Sequence, residues 1–323
     1  LAPDEVDIMQ SLFRFVVLCS AAVFAVAVPS WAQNNCIECH RSIDDEDLSH
    51  PAMAMADDIH ASAGITCADC HGGDPTLTIV DGDYDPAKAT GTGFVGRPSV
   101  DEIPEFCGKC HADASYMQHY DPNLPVDQLA QYWTSVHGER LQEGARDVAQ
   151  CVSCHHAHGV LAVDDPRAPV YPTKIPDTCG SCHADPQHMA NYDIPTDQVE
   201  EYTGSVHGRA LFEEGDLSAP TCNSCHGNHG ATPPGLSSVS LVCGNCHAIQ
   251  KEFFNESPHR QGFADIGEPE CETCHGNHAV QPVTDQLLGV EEGQICGECH
   301  FEDEAPYVVA QTMARDLGDL KVK

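Results

Sequence analysis

The chain has 323 residues, and its 50 acidic against 15 basic side chains give a formal charge of −35 with histidine neutral. A polyanion of this density is repelled by nucleic acid and by anionic lipid surfaces, which excludes both as partners. Such a length ordinarily suggests two domains, but 19 cysteines and 20 histidines in a chain that is only 6% aromatic point away from an ordinary apolar core.

Residues 1–8, LAPDEVDI, are acidic and unlike the start of an export signal. From Met9 the chain runs MQSLFRFVVLCSAAVFAVAVPSWAQ, with one Arg, an apolar run and S-W-A before Gln33. This pattern predicts a secretory signal peptide within residues 1–32, cut after Ala32. Cys19 would suit a lipoprotein site only with a small residue before it, and Leu18 is large. The apolar run is short for a spanning helix, and nothing after residue 33 is apolar enough to span a membrane.

Nine C-x-x-C-H motifs follow in chain order. The first three are Cys36, Cys39 and His40; Cys67, Cys70 and His71; and Cys107, Cys110 and His111. The next three are Cys151, Cys154 and His155; Cys179, Cys182 and His183; and Cys222, Cys225 and His226. The last three are Cys243, Cys246 and His247; Cys271, Cys274 and His275; and Cys296, Cys299 and His300. They consume every cysteine but Cys19. A disulfide scaffold does not explain a histidine after each second cysteine, and four-ligand zinc sites would leave that placement arbitrary. C-x-x-C-H is the attachment signature of c-type haem, with both thiols bonded to the porphyrin and the histidine on the iron. The expected cofactors are nine covalently attached haem c groups. Their attachment outside the cytoplasm agrees with an exported, periplasmic or extracellular protein.

The motifs belong to a longer repeat. CGKCHADASYMQHYD (107–121) and CGSCHADPQHMANYD (179–193) align without gaps, and each continues to SVHG and then to a second motif followed by another His. The expected divisions are four dihaem modules, 33–106, 107–178, 179–242 and 243–295, and a single-haem half-module, 296–323. Connections such as GVLAVDDPRAPVYPTKIPD and GATPPGLSS are rich in Pro, Asp and Gly and predict extended chain. Helical patterning is confined to short runs, VDQLAQYWTSVHG, TDQVEEYTGSVHG and YVVAQTMARDLGDL. The expected fold is mostly irregular with short α-helices. With about 32 residues per motif, below the roughly 40 at which a domain usually buries an adequate core unaided, the haems themselves are expected to form the core.

Eleven histidines lie outside the motifs. His60, His137, His207 and His259 share one repeat position upstream of a second motif, and His158, His229 and His278 share another, three residues after a second-motif histidine. Recurrence at fixed spacing makes these seven the expected distal axial ligands. In CVSCHHAHG (151–159), His155 is then proximal, His158 serves a different haem, and His156 is incidental. The first module carries Asp74 at the second position, so His50 is the expected substitute. For the ninth haem His119, His188 and the aligned Met117 and Met189 stay open.

These motifs resemble those of multihaem c-type cytochromes. The pairing of S-x-H-G with a following C-x-x-C-H-G-x-H is similar to the dihaem modules of periplasmic and extracellular electron carriers, and it covers nearly the whole chain after residue 33. The resemblance implies a multihaem cytochrome c fold, bis-histidine ligation and low potentials. It also implies electron transfer between a membrane quinol dehydrogenase and an external acceptor such as an outer-surface cytochrome, with no substrate chemistry of its own. Some similar proteins form filaments, and a neighbouring copy completing the half-module would suit a homopolymer. The rival expectation is a multihaem oxidoreductase acting on a small inorganic nitrogen or sulfur compound at one haem with an open position. The absence of a C-x-x-C-K motif and the surplus of histidines weigh against it.

Overall fold

The computed structural model describes residues 34–77, 85–234, 239–284 and 287–321. The expected signal peptide and Cys19 lie outside the described residues, as does the end of the 230–238 connection. Among the described residues all regular structure is α-helix or short 3₁₀ turn, with no strand. The chain falls into two compact units, residues 1–97 and 98–323. Among the described residues no helix is long and apolar enough to cross a membrane.

In the first unit the helix Asn35–Arg41 carries the first motif and packs against Glu46–Ala54. Asn34 caps it, its buried side chain accepting from the Cys36 amide at 3.0 Å. A one-turn helix, Ile59–Ser62, starts at the buried cap Asp58. A second, Cys67–His71, starts at Thr66, whose amide donates to Asp69 at 2.7 Å. Asp74 accepts from the Thr76 amide at 2.9 Å and the Thr76 hydroxyl at 2.7 Å, so the residue standing at a histidine's repeat position organises a turn.

The second unit begins with two near copies. Helices Ile103–His111 and Ile175–His183 each open on Ile-Pro and end on a motif histidine. Proline suits a helix's first turn, where its missing N–H has no partner to lose. The expected divisions at 106/107 and 178/179 fall inside these helices, because the Pro start sets the helix before the motif does. Short helices Ala114–Met117 and Pro186–Met189 follow, capped by Asp113 and Asp185.

The runs VDQLAQYWTSVHG and TDQVEEYTGSVHG each form two helices meeting at a corner. Gln128–Trp133 is followed by Val136–Gln142, and Gln198–Gly204 by Val206–Phe212. At the corner Ser135 and Ser205 are fully buried. Their hydroxyls donate to the carbonyls of Tyr132 and Tyr202 and accept from the amides of Gly138 and Gly208, at 2.6–3.1 Å. A Cβ on Gly138 or Gly208 would lie 2.1 Å from that same Tyr carbonyl oxygen. Serine turns the chain, and glycine permits the close approach.

A third copy comprises the helices Val239–Gly244, Ala248–Glu256, Pro258–Ile266 and Glu272–His275. A 3₁₀ turn, Ile295–Glu298, begins the last motif, and the expected terminal helix is observed as Ala305–Lys321.

Candidate functional site

The corner geometry fixes where the S-x-H-G histidines point. His137 and His207 sit in the first turn after the capping serine, so their rings project from a rigid start. Each corner is tied to its module's second motif by a tyrosine, with Tyr132 donating to the Ala149 carbonyl and Tyr202 to the Pro220 carbonyl, both at 3.0 Å. Neighbouring modules are joined through backbone. The Val136 amide donates to the Ala231 carbonyl at 3.1 Å, and the Val206 amide to the Val280 carbonyl at 2.8 Å. Ala231 and Val280 lie two residues after His229 and His278. One hydrogen bond thus sets both kinds of extra histidine in register across a module boundary.

Five motif histidines each face one extra histidine. Ring centroids are 6.1 Å apart for His183–His137, 6.3 Å for His247–His207 and 6.0 Å for His300–His259, with ring planes crossed by 36–56°. They are 6.2 Å apart for His155–His229 and 6.0 Å for His226–His278, with planes within 13–15°. A metal–imidazole bond is about 2.0–2.1 Å, the value for zinc sites, and with about 1.1 Å from nitrogen to ring centre, two rings in line across one metal stand about 6.3 Å apart. The spacing fits a single iron between each pair. Among the described residues no group of three or more His, Cys, Asp or Glu converges to hold a metal ion. The remaining ligands would have to come from a macrocycle.

The two classes follow one rule within this unit. An S-x-H-G-type histidine faces the first motif of the next module, and a +3 histidine faces the second motif of the preceding one. His300, in the half-module, therefore faces His259 of its own chain. Of the other expected ligands, His60 and His158 occupy the same two repeat positions. No second histidine ring is set at this spacing from His40 or from His275 among the described residues. His40 Nδ1 bonds the Leu48 carbonyl at 2.9 Å, and His50 is exposed on the helix Glu46–Ala54. His119 is exposed with Nδ1 on the Ser115 carbonyl at 2.8 Å. His188 lies 6.3 Å from Tyr192. Met117 and Met189 are buried.

Ring chemistry also suits a metal. Burial first, then neighbouring imidazoles, pushes His137, His155, His183, His207 and His278 below the ordinary histidine value. Burial lowers His229 against the opposing pull of Asp127. Neutral imidazole is the ligating form. His71 Nδ1 bonds the Gly96 carbonyl at 2.8 Å and His60 Nδ1 bonds Asp58 at 3.0 Å, which leaves Nε2 outward.

The described motif cysteines are half-buried or exposed. First cysteines of a module's two motifs lie close enough to shift one another's acidity, Cys107 with Cys151, Cys179 with Cys222 and Cys243 with Cys271. In the first unit, Cys36 lies in the electrostatic neighbourhood of Cys67. Second cysteines meet the next module, Cys154 near Cys182, Cys225 near Cys246 and Cys274 near Cys296 and Cys299. Burial pushes the Cys271 thiol up to about 11. The motifs of the second unit are therefore neighbours in chain order.

The second cysteines of the first three motifs are placed by their own helices. Cys39 and Cys110 are half-buried, and Cys70 is exposed. The Cys39 carbonyl accepts from the Ser42 amide and the Cys110 carbonyl from the Asp113 amide, both at 3.0 Å. Cys70 lies on the helix Cys67–His71, which the Gly72 amide closes on the Ala68 carbonyl at 2.8 Å. The expected bond of Cys39, Cys70 and Cys110 to a porphyrin rests on the C-x-x-C-H spacing.

Sequence reasoning gave no role to Ser135, Ser205, Gly138, Gly208, Tyr132 or Tyr202. Their signal was present, since S-V-H-G recurs with a tyrosine three residues before it. Asp58 was likewise passed over.

Residues 264–305 match the family model described as the doubled CXXCH motif, which spans the motifs at 271–275 and 296–300. This supports a multihaem c-type cytochrome. No curated protein and no solved structure matches the chain.

Proposed function

We propose that the chain is an exported electron carrier holding nine c-type haems, mainly bis-histidine, packed in chain order. The observation that carries the proposal is the set of five facing histidine pairs at 6.0–6.3 Å. When bound, each haem iron supplies one-electron Fe(III)/Fe(II) chemistry. The two cysteines of each motif would hold its macrocycle covalently. The five facing imidazole pairs, held by packing against the next module, would hold the iron in either state, so little would have to move when its charge changes. Alternating thiol proximities between consecutive motifs of the second unit support a file of haems there. Exposed apolar side chains such as Phe253 and Ile266, each 66% accessible, support macrocycles as the missing core. The proposed partners are one-electron donors and acceptors, a membrane quinol dehydrogenase on one side and an outer-surface cytochrome on the other.

A second reading is favoured by His40 and His275, which face no second histidine among the described residues. A haem at either would have a position for a small inorganic nitrogen or sulfur compound, and the protein would then be an oxidoreductase. Haem quantitation on the purified protein is expected to give nine per chain. Low-temperature EPR of the oxidised form, with CO added to the reduced form, separates the two readings. Low-spin irons throughout and no CO adduct support the carrier. A high-spin signal with a CO adduct, removed by substituting His275 or His40, supports the oxidoreductase.

A further inference from the structure

Four copies of the repeat place a capping residue two positions before the shared histidine, and in one of them the cap differs in kind. Ser135, Ser205 and Ser257 precede His137, His207 and His259, whereas Asp58 precedes His60. The Ser135 and Ser205 hydroxyls are satisfied by backbone, as described above, and Ser257 donates to the Phe254 carbonyl at 2.8 Å. Asp58 uses one oxygen twice, accepting from the His60 amide at 2.8 Å and bonding His60 Nδ1 at 3.0 Å. Its side chain is only 3% accessible. A carboxylate is thus buried against the ring of an expected axial ligand.

We propose that Asp58 is a positioning residue that sets the potential of the haem ligated by His60 below those ligated by His137 and His207. By accepting the Nδ1 proton it fixes the tautomer that presents Nε2 to the metal and makes the imidazole a stronger donor. A stronger donor and a nearby negative charge both favour Fe(III) over Fe(II), and burial shields that charge from salt. The residue therefore writes an uphill step into the file of haems, biasing electrons away from this site. The inference rests on the carrier reading, specifically on His60 as a ligand.

The test is a potentiometric titration of the nine-haem holoprotein, followed by visible absorbance and EPR. Asp58→Asn keeps the cap and an acceptor oxygen but removes the charge. It is expected to raise the midpoint of one haem and leave the others in place, at unchanged haem content. Asp58→Ser, which installs the cap used by the other copies, is expected to do the same if the Asn variant folds poorly. Ser205→Asp should lower one midpoint, that of the haem at His247. His60→Ala should create one new high-spin signal. If it does not, His60 is no ligand and the proposal falls with that assignment. If it does, but both Asp58 variants titrate like the parent, the tuning proposal is overturned while the carrier reading stands.

Discussion

His156 adopts φ 65° and ψ 165°, a backbone conformation that L side chains rarely tolerate, at the residue ending the helix Cys151–His155. Gly72, Gly227 and Gly276 occupy the equivalent place with φ 66–84°. The turn is needed in every copy because it redirects the chain from the motif helix toward the +3 position. At His156 it is held against a steric penalty of about 1–3 kcal/mol. His156→Gly is therefore expected to stabilise the holoprotein by about 1 kcal/mol, visible as a higher denaturant midpoint without change in haem spectra. The run CVSCHHAHG showed His156 to be the odd histidine, but only the backbone angle explains what its position requires.

At the scale of elements the helix corner is the unit that aims an expected ligand. Gly208→Ala would drive a Cβ into the Tyr202 carbonyl, whereas a Cβ on Gly204, four residues earlier, meets nothing within 4 Å. The first substitution is expected to destabilise by about 1–3 kcal/mol and to release a high-spin signal from the haem at His247. Gly204→Ala should instead stabilise by about 0.4–1 kcal/mol with the spectrum intact. Denaturation curves and EPR on the two variants check the pair. Periodicity marked the helical runs correctly as short, yet it merged two helices into one. A buried serine that caps one helix while donating to a carbonyl of the helix before it has no periodic signature. The helices ending in the motifs at 107–111 and 179–183 were missed for a related reason, since their start is marked by Ile-Pro and not by an apolar face.

Among the described residues of the whole molecule, side chains buried within the polypeptide are few and scattered, from Ala52 to Ala310. So sparse a core cannot offset the conformational entropy of ordering a chain of this length. Protein made without haem attachment is expected to show almost no helix by circular dichroism and rapid proteolysis, while the holoprotein is protected. A folded, protected apoprotein would show that the polypeptide carries its own core.

Cysteine spacing alone determined the cofactor chemistry, because covalent attachment needs only local sequence: two thiols and a histidine within five residues. Repetition alone nominated the extra histidines, since a shared environment recurs with its ligand. Which histidine faces which motif was decided by tertiary structure. His229 and His155 are far apart in the chain, and their approach depends on one backbone bond, Val136 to Ala231, that stacks one module on the next. The half-module shows the same division. Sequence left the half-module open to completion by another copy, and in the structure His300 faces His259 of the preceding module. A local motif can specify what is bound, but the facing histidine pairs are made across boundaries, where chain order fixes no distance.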